Sequence, residues 1–234
     1  MKIGGILDIS TIDFPGKVCS VIFLSGCPFR CPYCHNYELL YEGENVSIEK
    51  IVKNIERNYL IDGVCITGGE PFMQDIEELA KELKDIGLAV KVDTNGYYPN
   101  KLEKALKYID YIAIDVKTSP KKYPSLTGRE DSWERVKKSL EILKDSNVEW
   151  EIRTTVVSGL VWIDELLEIR KYVKANVNYI LQQFRNEKVL DASLKKVRSP
   201  SIEELKNLAI KSGYDLVRCA EGEFYLNFNF KYPK

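Results

Sequence analysis

The chain has 234 residues, 44% of them hydrophobic and 29% charged, enough to build one sizeable core. With 34 Lys and Arg against 35 Asp and Glu, it lacks the broad positive field that binding a nucleic-acid backbone requires. No apolar run approaches the length of a bilayer span, so a single domain over residues 1–234 is expected, with no nucleic-acid and no membrane partner.

Asp8 and Asp13 interrupt the N-terminal stretch before a signal-like apolar core forms, so a cytoplasmic protein is expected. From there, Val- and Ile-rich runs alternate with amphipathic stretches. Strands are predicted at Val18–Leu24, Gly63–Thr67, Leu88–Asp93, Tyr111–Val116, Glu149–Val156 and Tyr179–Gln183. Helices are predicted between and after them, at residues 47–59, 75–86, 100–108, 131–144, 163–174 and 201–211, with Ser47 and Ser201 as N-terminal caps. A terminal hairpin over residues 214–218 and 223–230 is expected to follow. Six βα units in succession give an α/β class and a partial (β/α)6 barrel of TIM type. In such folds chemistry gathers at the carboxyl ends of the strands. Those ends read Ser25-Gly26-Cys27, Thr67-Gly68-Gly69-Glu70, Asp93-Thr94-Asn95-Gly96, Asp115-Val116-Lys117 and Gln182-Gln183.

Three of the six cysteines, Cys27, Cys31 and Cys34, fall in the loop over residues 25–36. The other three, Cys19, Cys65 and Cys219, sit among apolar residues and read as small hydrophobes. In a reducing compartment the cluster points to metal or redox chemistry rather than a disulfide framework. An iron-sulfur cluster takes thiolates, and a four-iron cluster held by three of them keeps one iron open to a ligand. Three other readings overlap the run. Cys31-Pro-Tyr-Cys34-His35 contains a haem-attachment pattern, but no export signal accompanies it and Cys27 is unexplained. Cys-Pro-Tyr-Cys also reads as a redox pair, which again gives Cys27 no role. Zinc on three Cys and His35 would need ligation by the adjacent Cys34 and His35.

Cys27-x-x-x-Cys31-x-Tyr33-Cys34, followed one strand later by Gly68-Gly69-Glu70-Pro71, resembles the signature pair of the radical S-adenosylmethionine (SAM) superfamily. Over nearly the whole chain the resemblance narrows to the activating enzymes of glycyl radical enzymes. It is carried by Ser10-Thr-Ile-Asp13-Phe-Pro15-Gly16-Lys17, by Cys34-His35-Asn36 and by the strand ends at Asp93-Thr94-Asn95-Gly96 and Asp115-Val116-Lys117.

The resemblance implies a 4Fe-4S cluster on Cys27, Cys31 and Cys34, and SAM bound near Tyr33, Gly68, Gly69 and Glu70, with Glu70 beside the methionyl ammonium. It implies a monovalent cation held by Asp93, Thr94 and Asp115, and contacts from Lys117 and Arg153 to cofactor or substrate. Structural readings stand beside these: Asp and Thr also end strands, and Arg153 also suits an ion pair with an acidic strand end. The implied activity is reductive cleavage of SAM to a 5′-deoxyadenosyl radical, with flavodoxin or ferredoxin as electron donor, and removal of hydrogen from a glycine of a partner enzyme. Leu181-Gln182-Gln183-Phe184 stands where the pyruvate formate-lyase activator has Leu-Pro-Tyr-His. That departure favours the anaerobic ribonucleoside-triphosphate reductase branch and removes a His contact to the cofactor. A small-molecule substrate and a pyruvate formate-lyase-like partner are the alternatives.

Overall fold

The computed structural model describes residues 1–174 and 176–226. The chain opens with β1 (Lys2–Ser10), where no strand was expected, and turns back into β2 (Cys19–Leu24). After the cysteine loop come β3 (Glu44–Asn45) and α1 (Ile48–Glu56). Strand and helix then alternate: β4 (Gly63–Gly68), α2 (Glu77–Asp85), β5 (Ala89–Thr94), α3 (Pro99–Ala105) and β6 (Tyr111–Asp115). Next are α4 (Tyr123–Thr127), α5 (Ser132–Lys144), β7 (Glu149–Val156), α6 (Ile163–Tyr172) and β8 (Asn178–Gln183). The last described elements are α7 (Ile202–Ser212), β9 (Leu216–Cys219) and β10 (Gly222–Tyr225).

Among the described residues ten strands form one sheet in the linear order β10-β9-β8-β7-β6-β5-β4-β2-β1-β3. From β2 to β9 every neighbour is parallel, while β1, β3 and β10 pair antiparallel at the two ends. The six βα units expected from the sequence are therefore present, and among the described residues the sheet is open rather than closed on itself. The first leg of the expected hairpin, β9, is also a seventh parallel strand, aligned on β8 with Ile180 opposite Leu216. Residues 227–230 of the expected second leg lie outside the described residues.

The helices form because their apolar positions recur at three and four residues and meet the sheet: Ile51, Val52 and Ile55 in α1, Leu79, Ala80 and Leu83 in α2, Val136, Leu140 and Leu143 in α5. Each fully buried Leu contributes roughly 2 kcal/mol. The Ser47 side chain accepts from Lys50 N–H at 3.2 Å, and Ser201 accepts from Glu204 N–H at 3.2 Å while Glu204 returns a bond to Ser201 N–H at 2.8 Å. Both caps thus stop the orphan donors of a first turn from going unpaired. Strand alternation splits each central strand between two faces. In β5, Val90 and Val92 join the main core, while Lys91 and Asp93 turn toward the barrel interior. Cys19 and Cys65 are buried with Phe14, Val21 and Tyr111 in a second, smaller apolar cluster, as small hydrophobes.

Candidate active site

The cysteine loop is pinned from both ends. Gly26 N–H donates to Leu39 O at 2.7 Å, and the Arg30 guanidinium folds back on the carbonyls of Cys27 and Phe29, both at 2.8 Å. Phe29 and Tyr33 are buried in the main core, which draws Cys31 inward and leaves Cys27 and Cys34 half-buried. His35 is exposed.

The loop after β4 is stitched to it. Gly69 N–H donates to Leu24 O and Glu70 N–H to Gly26 O, each at 2.8 Å, and Asn36 Nδ2 reaches Gly68 O at 3.3 Å. Gly68 has φ +113°, and a Cβ there would sit 2.4 Å from the Leu24 carbonyl oxygen. The Gly-Gly pair is therefore required for the two loops to lie together, beyond leaving the backbone open to a ligand.

At the carboxyl ends of the strands these loops enclose a cleft of about 500 Å³. Cys27, Cys31, Tyr33, Cys34, Gly68, Gly69, Asp93, Thr94, Asp115, Lys117 and Arg153, all expected from the sequence, line it. Glu70 does not. Its side chain is fully buried behind the wall, where Oε1 accepts from Phe72 N–H at 3.0 Å and Thr94 Oγ1 at 2.7 Å, and Oε2 from Asn95 N–H at 2.7 Å. Burial pushes its carboxyl up to about 7 against the pull of those three bonds. Glu70 thus joins the β4 and β5 loops, a place different from the ammonium contact expected of it.

A larger cavity of about 660 Å³ borders the cleft, with Asp13, Arg153, Gln182 and Arg185 in both walls. Its other walls come from residues 11–16, before β2, from the β9–β10 hairpin, and from Lys91, Tyr111 and Glu151 on the strands between, so it runs across the gap of the open sheet.

Charge in the cleft is organised around Arg153, which is buried. Its Nε bonds Asp115 Oδ1 at 2.8 Å and its Nη1 bonds Asp93 Oδ2 at 3.0 Å. Lys117 Nζ holds the other edge of Asp115 at 2.9 Å, and Lys91 Nζ pairs with Asp93 Oδ1. Burial would raise both carboxyls, but Arg153 and then the lysines hold them below the usual carboxylate range. The ion-pair reading of Arg153 is the one this geometry displays. Thr94 Oγ1 gives its proton to Glu70 and accepts from Gly96 N–H at 3.0 Å. The three ligands expected for a monovalent cation are thus engaged with protein partners, and three side-chain cations already serve two carboxylates. The set does not fit a further cation.

By sequence, Asn95 and Asn36 stand only within motifs, with no role of their own, and Lys91 is not singled out at all. Asn95 Nδ2 lies 3.5 Å from Cys27 Sγ, Asn36 ties the two loops, and Lys91 sits in the interior. Asn95 and Asn36 had their motifs as a signal, and Lys91 had one too, as a lysine between valines in a strand that reads as buried.

A sequence profile described as the radical SAM superfamily matches residues 21–173. A protein of Methanocaldococcus jannaschii that carries the provisional name glycyl-radical enzyme activating enzyme is 38% identical over 215 residues, 88% of this chain and 89% of its own. The chain is a radical SAM enzyme of the glycyl-radical enzyme activating family. A pyruvate formate-lyase-activating enzyme of Staphylococcus epidermidis is 26% identical over 250 residues, 96% of this chain and 94% of its own. Among solved structures, QueE from Escherichia coli superposes with a TM-score of 0.59 over 91% of each chain at 18% identity, a likeness of fold alone.

The family implies a 4Fe-4S cluster and SAM. The donor set fits the cluster: three free thiols face one cleft, with burial raising Cys27 to about 12, Cys31 to about 11 and Cys34 above its ordinary value. Thiols so placed stay protonated until a metal replaces the proton. Among the described residues no group of three or more His, Cys, Asp and Glu side chains gathers about one point as for a single metal ion. A cluster bonds each thiolate to its own iron. No helix among the described residues is long and apolar enough to cross a membrane.

Proposed function

We propose that this chain cleaves SAM reductively and removes a hydrogen atom from a backbone glycine of a partner enzyme, anaerobic ribonucleoside-triphosphate reductase. The observation that carries the reading is that Cys27, Cys31 and Cys34 share one cleft with Gly68, Gly69, Lys117 and Arg153. The three thiols would hold three irons and leave the fourth for a ligand. When bound, the cluster supplies the electron that splits SAM into methionine and a 5′-deoxyadenosyl radical.

Around that chemistry the chain binds and positions. Gly68 and Gly69 offer backbone groups at the cleft wall, and Lys117 and Arg153 offer positive charge to the methionyl carboxylate. Asn95 donates toward Cys27 Sγ and fixes that sulfur. Tyr33, buried beside Cys31, keeps water from the inner side of the loop. Glu70 acts through the loop it ties rather than on the ligand.

A protein substrate is supported by the open sheet, whose gap between residues 11–16 and the β9–β10 hairpin leads to the cleft. The reductase is favoured as partner by Leu181-Gln182-Gln183-Phe184, which departs from the pyruvate formate-lyase activator's pattern at the end of β8. Flavodoxin or ferredoxin in the cytoplasm is the proposed electron donor, and residues 1–234 act as one radical SAM domain.

The test is anaerobic reconstitution with iron and sulfide, reduction with dithionite in the presence of SAM, and chromatography for 5′-deoxyadenosine, comparing wild type with Cys31→Ala. Product from wild type alone supports the cleavage; none from a fully loaded protein overturns it. Adding purified reductase or a formate-lyase-type enzyme and recording electron paramagnetic resonance then tests the partner. A glycyl radical on the reductase is expected. A signal only on the other enzyme, or product with no protein radical, would redirect the assignment.

A further inference from the structure

The charges of the site form a string, Lys91, Asp93, Arg153, Asp115, Lys117, of which Lys91 and Arg153 are buried and the other three partly so. Each neighbour in it is an ion pair, and both ends are positive. Lys91 is the member with the fewest alternatives. It sits mid-strand, 2% exposed, with its ammonium against Asp93 and 3.7 Å from the neutral Cys65 Sγ. A buried lysine is costly unless it is paired, and Asp93 is its charged partner. The other acids nearby are spoken for: Glu151 has Arg218 at 3.4 Å and the Tyr111 hydroxyl at 2.7 Å, and Asp13 takes the Ser10 hydroxyl at 2.6 Å. An alkali-metal ion added here would need carboxylate edges that Lys91, Arg153 and Lys117 already hold, and would bring a fourth positive charge to two carboxylates.

We infer that Lys91 is a built-in cation: its ammonium, fixed on Asp93, takes the place of the monovalent ion that the family resemblance implies, so that this chain binds SAM without one. The inference rests on the proposed binding of SAM in the cleft. Lys91 is a positioning residue on this view. It holds Asp93, which holds Arg153, and the surplus positive charge of the string favours a carboxylate at its Lys117 end.

The experiment measures two things at constant ionic strength in sodium, potassium or choline chloride: the Tm of the protein without SAM, and the Kd of SAM for the iron-loaded protein by equilibrium dialysis. Wild type is expected to show the same Tm in all three salts and Kd values within about twofold. Lys91→Ala, which opens space beside Asp93, is expected to bind SAM about tenfold more weakly in choline and to recover in sodium or potassium. A wild-type Kd more than about fivefold tighter in an alkali salt than in choline overturns the inference. So does a loss in Lys91→Ala that alkali ions do not repair, since a merely structural lysine would behave that way. If Lys91→Ala fails to fold, the wild-type comparison still decides. If no SAM binds in any salt, the proposed function fails, and an alkali-specific rise in wild-type Tm remains as the independent test of the lysine.

Discussion

Gly69 lies so close to Gly26 that a Cβ on Gly69 would stand 2.1 Å from the Gly26 carbonyl oxygen. Backbone cannot yield as a flexible side chain can, so Gly69→Ala must push the β4 loop off the cysteine loop. The expected outcome is a loss of about 1–3 kcal/mol in denaturant unfolding and less iron bound after reconstitution. Full iron loading at unchanged stability would mean that the loops part freely.

Arg153, itself buried, bridges two largely enclosed carboxylates. Arg153→Met leaves Asp93 and Asp115 with only their lysines, and removal of one partner from a buried pair costs about 3–5 kcal/mol. Adding Asp115→Asn to that variant should cost far less than Asp115→Asn does alone. Denaturation of the four proteins measures the coupling, and additive losses would argue against it.

Glu70 accepts from donors on both carboxylate oxygens. In Glu70→Gln, either orientation of the amide sets its NH₂ against at least one of them, so a buried donor loses its acceptor. A destabilisation of about 1–3 kcal/mol is expected in urea unfolding. Unchanged stability would show that the site rearranges to satisfy the amide.

Glu165 at the start of α6 accepts from Lys122 Nζ at 2.5 Å and from Trp162 N–H at 2.9 Å. Burial works to raise its carboxyl, but the Lys122 bond and the Trp162 N–H outweigh it and hold it below the usual glutamate range. A depressed carboxyl stabilises the fold above its unfolded pKa, and that contribution disappears as pH falls through the folded value. The Tm of wild type should therefore exceed that of Glu165→Gln most at about pH 7, with the difference closing toward about pH 3. A difference independent of pH would remove the carboxylate from the explanation.

The strands β2 and β4 to β8 were legible as short apolar runs alternating with amphipathic stretches. By contrast, β9 reads only as a hairpin leg, and its parallel pairing with β8 is set by the sheet. β1 was not legible: Gly4, Gly5 and Asp8 break its apolar alternation, and its register on β2 is irregular after Ile3 and Leu7. Its existence depends on pairing with β2. In the site, the cysteines and the Gly-Gly pair announced themselves by spacing. The engagement of Glu70 could not, because its partners Thr94 and Asn95 lie a whole βα unit downstream. Lys91 and Arg153 illustrate the same limit. Each is an unusual charge in a buried strand, but which acid each would meet is set by how the strands align across the sheet.

From β4 to β10 the strands stand side by side in the order in which they are made. The cysteine loop leaves the ribosome early, yet the cleft around it is completed by Gln182, Gln183, Phe184 and Arg185, more than a hundred residues later. During synthesis the thiols therefore wait in the open, exposed to oxidants and stray metals, while their enclosure is still being translated. The complete pocket around the three thiols exists only once β8 and the loop after it, which carry residues 182–185, have docked.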